Sequence, residues 1–163
     1  MPSYFMPPQE YGQFSKTEVN AILEGVTAVM ESWAHLPSRY IGIPVEGPAL
    51  LPLEFSVRFS GHAKGFLNVR TSSDMAKLLM RQIKGRTGKG TQEEVIREFV
   101  DIFSGRLMAY LWGNNWGLLK LDIPEFTTPK EWPESDPTAC CAFIVENWPV
   151  EVRLWIRVEG EPS

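Results

Sequence analysis

The length, composition and charge of the chain already exclude several classes of protein. Its 163 residues correspond to one ordinary domain, and a composition that is 44% hydrophobic and 22% charged excludes disorder over most of the chain. The net charge of −4 lacks the basic excess that nucleic-acid-binding domains usually show, and no apolar run approaches the roughly 18 residues that a membrane-spanning helix needs. The first residues also lack the pattern of a signal peptide, so we expect a cytoplasmic protein with neither nucleic-acid nor membrane partners.

The first part of the chain predicts a lead-in, a helix and a loop. Residues 1–15 are rich in proline, glycine and aromatic residues without periodicity, and we expect an irregular N-terminal lead-in there. Apolar residues then recur at three and four positions up to Trp33, which predicts an amphipathic helix that begins at Lys16 and ends before Pro37. Residues 37–53 contain four prolines and two glycines and are predicted to form a loop with little regular structure.

A β-hairpin and a second helix are predicted next. Residues 55–59 and 65–70 are short segments rich in β-forming residues and are expected to pair as a hairpin. Ser72 or Ser73 can cap a helix whose apolar residues follow at helical spacing, and the glycine-rich residues 85–90 end it.

The longest predicted helix begins at Thr91. Thr91 and Glu94 have the spacing of a capping box, in which each side chain satisfies a free amide of the first turn, and the helix is expected to reach about Gly113. The rest of the chain predicts strands and a proline-rich loop: a strand over 118–123, a loop over 127–138, and a closing hairpin of 139–147 and 150–159 around Pro149.

This order of elements predicts an α+β fold. A single domain over residues 16–163 would contain a largely antiparallel sheet, with two long helices that cover one of its faces. The strict alternation of strands and helices that is typical of doubly wound nucleotide-binding folds is missing.

Neither a metal site nor a catalytic cysteine is predicted. His35 and His62 lie far apart in the sequence, and neither belongs to a cluster with the spacing of metal ligands. Cys140 and Cys141 are neighbours in a predicted strand, so we expect one side chain to be buried and the other exposed on the opposite face of the sheet.

The helix over 91–113 carries an exposed acidic stripe. At about 100° per residue, Glu94, Glu98, Asp101 and Gly105 fall within about 60° of one another, opposite a broad apolar face. The glycine costs on the order of 1 kcal/mol relative to alanine, but it leaves room for another backbone to approach. The stripe is either a solvated acidic face with a tolerated glycine or a flat acidic docking ridge for another protein.

This stripe resembles a motif of a known family. Glu98-Phe-Val-Asp101-Ile-Phe-Ser-Gly105 is similar to the Glu-x-x-Asn-[Ile/Leu/Met]-aliphatic-x-Gly helix of the CheC/CheX/FliY phosphatases of bacterial chemotaxis. The family signature is Asp/Ser-x3-Glu-x2-Asn-x22-Pro, and in this chain Glu94-x3-Glu98-x2-Asp101 is followed after 22 residues by Pro124.

The resemblance is closest to the CheX type and covers roughly residues 16–158. In that type only the helix of the second half carries the motif, and the first helix here has Glu24 but Thr27 in the Asn position. The resemblance also implies a homodimer that forms through the sheet edge, with the final hairpin at or near the interface.

The substrate that the resemblance implies is the phosphorylated aspartate of a CheY-like response regulator. Glu98 would contact the active-site lysine of the regulator, and Asp101 would occupy the position that orients the attacking water. Glu94 and Gly105 would belong to the partner-binding surface. The regulator would carry the Mg²⁺, so the chain would need no cofactor of its own.

Asp101 departs from the family pattern, which has Asn at this position. An amide both donates and accepts hydrogen bonds, whereas an ionised carboxylate only accepts them and brings negative charge toward a phosphoryl group of about −1.5 to −2. Asp101 could still accept a hydrogen bond from the water, or burial could raise its pKa so that it docks as a neutral acid. We therefore expect either a phosphatase that this aspartate weakens or a non-catalytic module that binds a regulator.

Overall fold

An antiparallel β-sheet forms the framework of the fold. The computed structural model describes residues 5–6, 15–44, 51–61, 63–83, 90–113 and 119–158. Within them, the strands follow the order β1-β2-β7-β8-β4-β3-β5, and β6 pairs with the same edge of β3 as β5 does. The strands are β1 (Phe5–Met6), β2 (Ser38–Pro44), β3 (Leu53–Gly61), β4 (Ala63–Thr71), β5 (Leu119–Leu121), β6 (Glu125–Phe126), β7 (Ala139–Val145) and β8 (Trp148–Val158).

Helices pack on one face of this sheet and share a single apolar core with it. They are α1 (Lys16–Val29), which continues into a π-helical turn over Met30–Ala34, α2 (Ser73–Gln82) and α3 (Gln92–Trp112). The predicted α+β fold, a largely antiparallel sheet with two long helices on one face, is confirmed.

Polar side chains cap helices α2 and α3 at the predicted positions. Ser72 Oγ accepts a hydrogen bond from the backbone N–H of Met75 at 3.2 Å, and Thr91 Oγ1 accepts one from that of Glu94 at 3.1 Å. The first helix, with its π-helical turn, ends at His35, whose φ of 56° lies in the left-handed region. The predicted helix boundaries therefore hold to within a few residues.

Helices α1 and α3 lie close together in the core. A Cβ on Gly25 would stand 2.9 Å from the ring of Phe103, so only glycine permits this approach. Trp33 stacks on Phe99 with ring centroids 6.2 Å apart. Because α3 is fixed in this way, its opposite side must face away from the core.

The other face of the sheet is covered by residues 127–138, which we call the covering segment. Glu54 accepts a hydrogen bond from Trp132 Nε1 at 2.7 Å and pairs with Arg70 at 3.3 Å. The guanidinium of Arg153 lies 4.7 Å from the centroid of the Trp132 ring. Since buried charges are tolerated when they are paired, this polar network ties the covering segment to the sheet.

The loop predicted over 37–53 is wrong in its first half, which forms β2. This strand pairs with β7, with a shift of register between Tyr40 and Gly42, and with the short β1 inside the predicted lead-in 1–15. The strand ends at Pro44, so the prolines flank the pairing with β7 instead of interrupting it.

The closing hairpin is confirmed, but its turn is not at Pro149. Two residues connect Val145 to Trp148, and Pro149 lies inside β8 opposite Ile144. Strand β7 is paired on both sides, and β8 pairs with β7 over 148–154 and with β4 over 150–158. Among the described strands, the final hairpin therefore lies inside the sheet, and the edges are β1 on one side and β5 with β6 on the other.

Several predictions fall on residues outside the described ranges. They concern most of the lead-in 1–15, residues 45–50 of the predicted loop, His62, the glycine-rich connector up to residue 89 and Leu118.

Candidate functional site

The acidic stripe of α3 lies on the solvent side of the helix. Glu94 and Asp101 are exposed and Glu98 is half-buried. With a rise of about 1.5 Å per residue, Glu98 is about 6 Å along the helix axis from Glu94 and about 4.5 Å from Asp101. The predicted stripe is thus present as a short acidic ridge.

Pro124 reaches this ridge because the chain after α3 returns along the edge of the sheet. The backbone N–H of Asp122 donates to the carbonyl of Arg58 at 2.9 Å. A second hydrogen bond, from the N–H of Thr127 to the carbonyl of Glu54, measures 3.0 Å. Pro124 lies between these two attachments and is buried.

The ridge and this returning segment enclose a groove of about 260 Å³, which we call the ridge groove. It is lined by Glu94, Arg97, Glu98, Asp101, Ile123 and Pro124. The structure therefore brings the three acidic candidates together with the proline of the family signature.

Arg97 and Ile123 are two residues of the ridge groove that the sequence analysis missed. Arg97 precedes Asp101 by one helical turn, and this spacing was a signal that could have found it. Ile123 is 76% exposed, although its neighbour Pro124 is buried. Single exposed apolar residues are ordinary on protein surfaces, but this one borders a groove with charged walls.

Gly105 lies one turn beyond Asp101 and does not line the ridge groove. A Cβ at this position would meet nothing within 4 Å. Packing within the described residues therefore does not require a glycine here, in contrast to Gly25. The open space beside Gly105 agrees with a surface that another backbone can approach.

The acidic side chains of the ridge are not used to stabilise the fold. In the part of the chain that the structure describes, Glu94, Glu98 and Asp101 form no ion pair. The guanidinium of Arg97 lies over the ring of Phe55, 5.5 Å from its centroid. The three carboxylates therefore remain accessible to a cationic partner.

Helix α1 does not repeat this arrangement. Glu24 is exposed, but Thr27 is half-buried and its Oγ1 accepts a hydrogen bond from Ser38 at 3.5 Å. The position that corresponds to Asp101 is therefore engaged with β2, in agreement with a motif carried by the second-half helix alone.

The two cysteines are both buried, so the prediction that one would be exposed is wrong. Cys140 is paired in register with Arg153, whose guanidinium lies against the Trp132 ring of the covering segment, so this part of the sheet face is covered. Burial raises the pKa of Cys140 to about 11 and that of Cys141 well above its usual value. Neither thiol is therefore a ready nucleophile at neutral pH.

The described ranges contain no group of three or more His, Cys, Asp or Glu side chains that could hold a metal ion. No helix in these same ranges combines the length and the apolar character that crossing a membrane requires.

Comparison with known proteins identifies similar structures but no similar sequences. No protein-family model matches the chain, and no curated protein matches it. The chemotaxis protein CheX from Vibrio vulnificus superimposes with a TM-score of 0.68 at 15% identity, over 86% of this chain and 99% of that one.

Two further structures extend this comparison. A chain of the CheX–CheY–BeF3–Mg²⁺ complex from Borrelia burgdorferi gives a TM-score of 0.60 at 11% identity, over 86% of this chain and 97% of that one. The FliM middle domain from Vibrio alginolyticus gives a TM-score of 0.53 at 10% identity, over 88% of this chain and 92% of that one. The chain therefore has the fold of the CheX and CheC-like chemotaxis proteins, as the resemblance of its α3 motif implied.

Proposed function

We propose that the chain binds a CheY-like response regulator at the ridge groove and promotes hydrolysis of its aspartyl phosphate. The observation that supports this most strongly is the assembly of the whole spaced signature, Glu94, Glu98, Asp101 and Pro124, around one groove. The fold adds support, because one similar structure is that of CheX in complex with CheY.

Docking would combine one ion pair with an apolar contact. Glu98 would accept a hydrogen bond from the lysine of the regulator, and a charge-assisted bond of this kind contributes about 1.5–3 kcal/mol. Ile123 would bury its exposed side chain against the partner beside it. Gly105 would let the partner backbone approach α3 closely.

Hydrolysis would depend on how Asp101 holds a water molecule. The carboxylate of Asp101 would accept a hydrogen bond from this water, whose oxygen attacks the phosphorus atom of the aspartyl phosphate. The bond from phosphorus to the aspartyl oxygen breaks, the regulator regains a free carboxylate, and inorganic phosphate and a proton are released. The Mg²⁺ for this step would be carried by the regulator, as the resemblance implies.

Arg97 would offset the charge that Asp101 brings into the groove. Two unit negative charges about 4 Å apart repel by about 4 kcal/mol at an effective dielectric constant of about 20. Arg97 lines the same groove one turn before Asp101. Its positive charge would therefore reduce the repulsion between Asp101 and the phosphoryl group.

The second candidate function is a non-catalytic module that binds a regulator with the same surface. The carboxylate of Asp101 favours this second function, because it only accepts hydrogen bonds, whereas the Asn of the family pattern both donates and accepts them. The FliM middle domain has a similar fold, so the fold by itself does not establish catalysis.

The substitution Asp101→Asn distinguishes the two functions. If Asp101 is the working group, this substitution slows the decay of the phosphorylated regulator relative to the natural chain. If the natural chain is a binding module, it does not change the decay rate, and Asp101→Asn creates or strongly raises the activity.

We also propose that the chain forms a homodimer through the sheet edge, as the resemblance implies. Because the final hairpin lies inside the sheet, the edge strands β1 and β5 are the places for such pairing. Sedimentation at tens of micromolar tests this proposal, and a monomer at that concentration would contradict it.

A further inference from the structure

We propose that a second groove, on the sheet face away from the helices, binds a small phosphate-bearing molecule. This groove has a volume of about 320 Å³ and lies between strands β3, β4 and β8 and the covering segment. Among the residues that the structure describes, three basic ones line it, Arg58, Lys64 and Arg157, and one acidic one, Asp136. We call it the basic groove.

Strand pairing places these three cations close together. Lys64 and Arg157 are direct partners in the register of β4 and β8. Arg58 is opposite Phe66, which is two residues from Lys64 on β4. Directly opposed side chains have Cβ atoms about 5 Å apart and diagonal ones about 7–8 Å, so like charges at these positions repel.

The cations of the basic groove differ from their neighbours in forming no ion pair within the described residues. Farther along the same face, Arg70 pairs with Glu54 at 3.3 Å and Arg153 pairs with Glu151 at 2.9 Å. Among the residues that the structure describes, the three cations of the basic groove form no such ion pair. In a chain of net charge −4, three adjacent unpaired cations indicate a place for an external anion.

The walls of the basic groove are held in place without a ligand. The guanidinium of Arg58 lies 5.0 Å from the centroid of the Phe66 ring, and this ring packs edge-to-face against Trp155. Trp155 Nε1 in turn donates to the carbonyl of Ser135 in the covering segment at 2.9 Å. Since these groups are already ordered, binding loses less conformational entropy.

Charge and size specify the kind of ligand. The described lining residues, three cations and Asp136, sum to a charge of +2, which suits a phosphate monoester or a diphosphate. A volume of about 320 Å³ lies at the lower end of the range for small-molecule sites. The aromatic residues Phe66 and Trp155 are buried beneath the cations, so they offer no face on which a nucleobase could stack.

Calorimetric titration of the full chain with pyrophosphate at 0.15 M salt tests the proposal. We expect one saturable site per chain. Lys64→Gln and Arg157→Gln should each weaken binding about fivefold or more, whereas Asp136→Asn should strengthen it. Lys77→Gln is the matched control, because Lys77 is also an exposed cation but lies on α2, away from the basic groove, and it should leave the affinity unchanged.

Two results would overturn the proposal. One is the absence of saturable binding up to millimolar pyrophosphate. The other is an equal loss of affinity in Lys77→Gln, which would indicate attraction by general charge. Thermal unfolding of each variant without ligand shows whether it is folded, and removal of one of the opposed cations should not lower the melting temperature. Because this groove lies away from the helices, the result does not depend on the function proposed for α3.

Discussion

Asp101 and Pro124 line one groove although 22 residues separate them in the chain. Asp101 lies on helix α3, and Pro124 lies where the chain returns along the edge of β3. The spacing in the signature is therefore the length of chain needed to finish α3 and come back beside it. We therefore predict how substitutions in this groove change the binding of a partner.

Glu98→Gln should weaken the binding of a phosphorylated regulator about tenfold or more, because it removes the carboxylate that pairs with the partner's lysine. The free energy of unfolding should not change, since Glu98 forms no ion pair within the described residues. Fluorescence titration with the regulator measures the effect. Glu93→Gln is the control, as Glu93 is an exposed acid of α3 outside the ridge groove, and equal losses in both variants would contradict specific docking.

Ile123→Ser should weaken the same complex about fivefold, because an apolar contact at the partner surface is lost. Its stability should be preserved, since the side chain is 76% exposed in the free protein. Tyr110→Ser is the control, because it removes an exposed apolar side chain that lies on α3 and does not line the ridge groove. A larger loss of affinity in the Tyr110 variant would place the interface elsewhere.

Gly105→Ala should stabilise the free protein and weaken its binding to the regulator. Alanine favours a helix interior by up to about 1 kcal/mol over glycine, and the added methyl group meets nothing in the free protein. We therefore expect a higher melting temperature together with weaker regulator binding. Gly25→Ala should instead lower the melting temperature, because its Cβ would lie 2.9 Å from Phe103. Unchanged regulator binding by Gly105→Ala would show that the partner does not approach this point.

The raised pKa of Cys140 makes stability depend on pH in alkaline solution. The folded thiol, with a pKa of about 11, holds its proton while the unfolded one, with a pKa near 9.0, loses it. The folded state therefore binds more protons between pH 9 and 11, and the free energy of unfolding should fall across this window by on the order of 2 kcal/mol. Urea unfolding of the natural chain and of Cys140→Ala measures this fall. If the free energy of unfolding has the same slope against pH in both proteins, the prediction is contradicted.

The helices and the acidic ridge could be predicted from sequence because their signals are local. Periodic apolar residues and the caps at Ser72 and Thr91 are read within a few positions, and the structure agrees with them. The position of Pro124 beside α3 followed from the resemblance and not from any local pattern. Its physical cause, the pairing of β5 and β6 with β3, is a long-range contact.

Other features depend on contacts that no local pattern reveals. The proline-rich stretch that forms β2 is a strand because β7, near the other end of the chain, pairs with it. Cys140 is buried because the covering segment lies over its side of the sheet, fastened by Trp132 to Glu54. The exposure of Ile123 likewise depends on the path of the chain around Pro124.

The decay rate of a phosphorylated cognate CheY-like regulator shows whether α3 promotes hydrolysis of the aspartyl phosphate. It should be measured alone, with the natural chain, and with Asp101→Ala, after binding of both proteins has been shown. We predict that the natural chain accelerates the decay and that Asp101→Ala, although it still binds, does not. An unchanged decay rate with stoichiometric, bound natural chain would contradict the account of α3 as a catalytic surface.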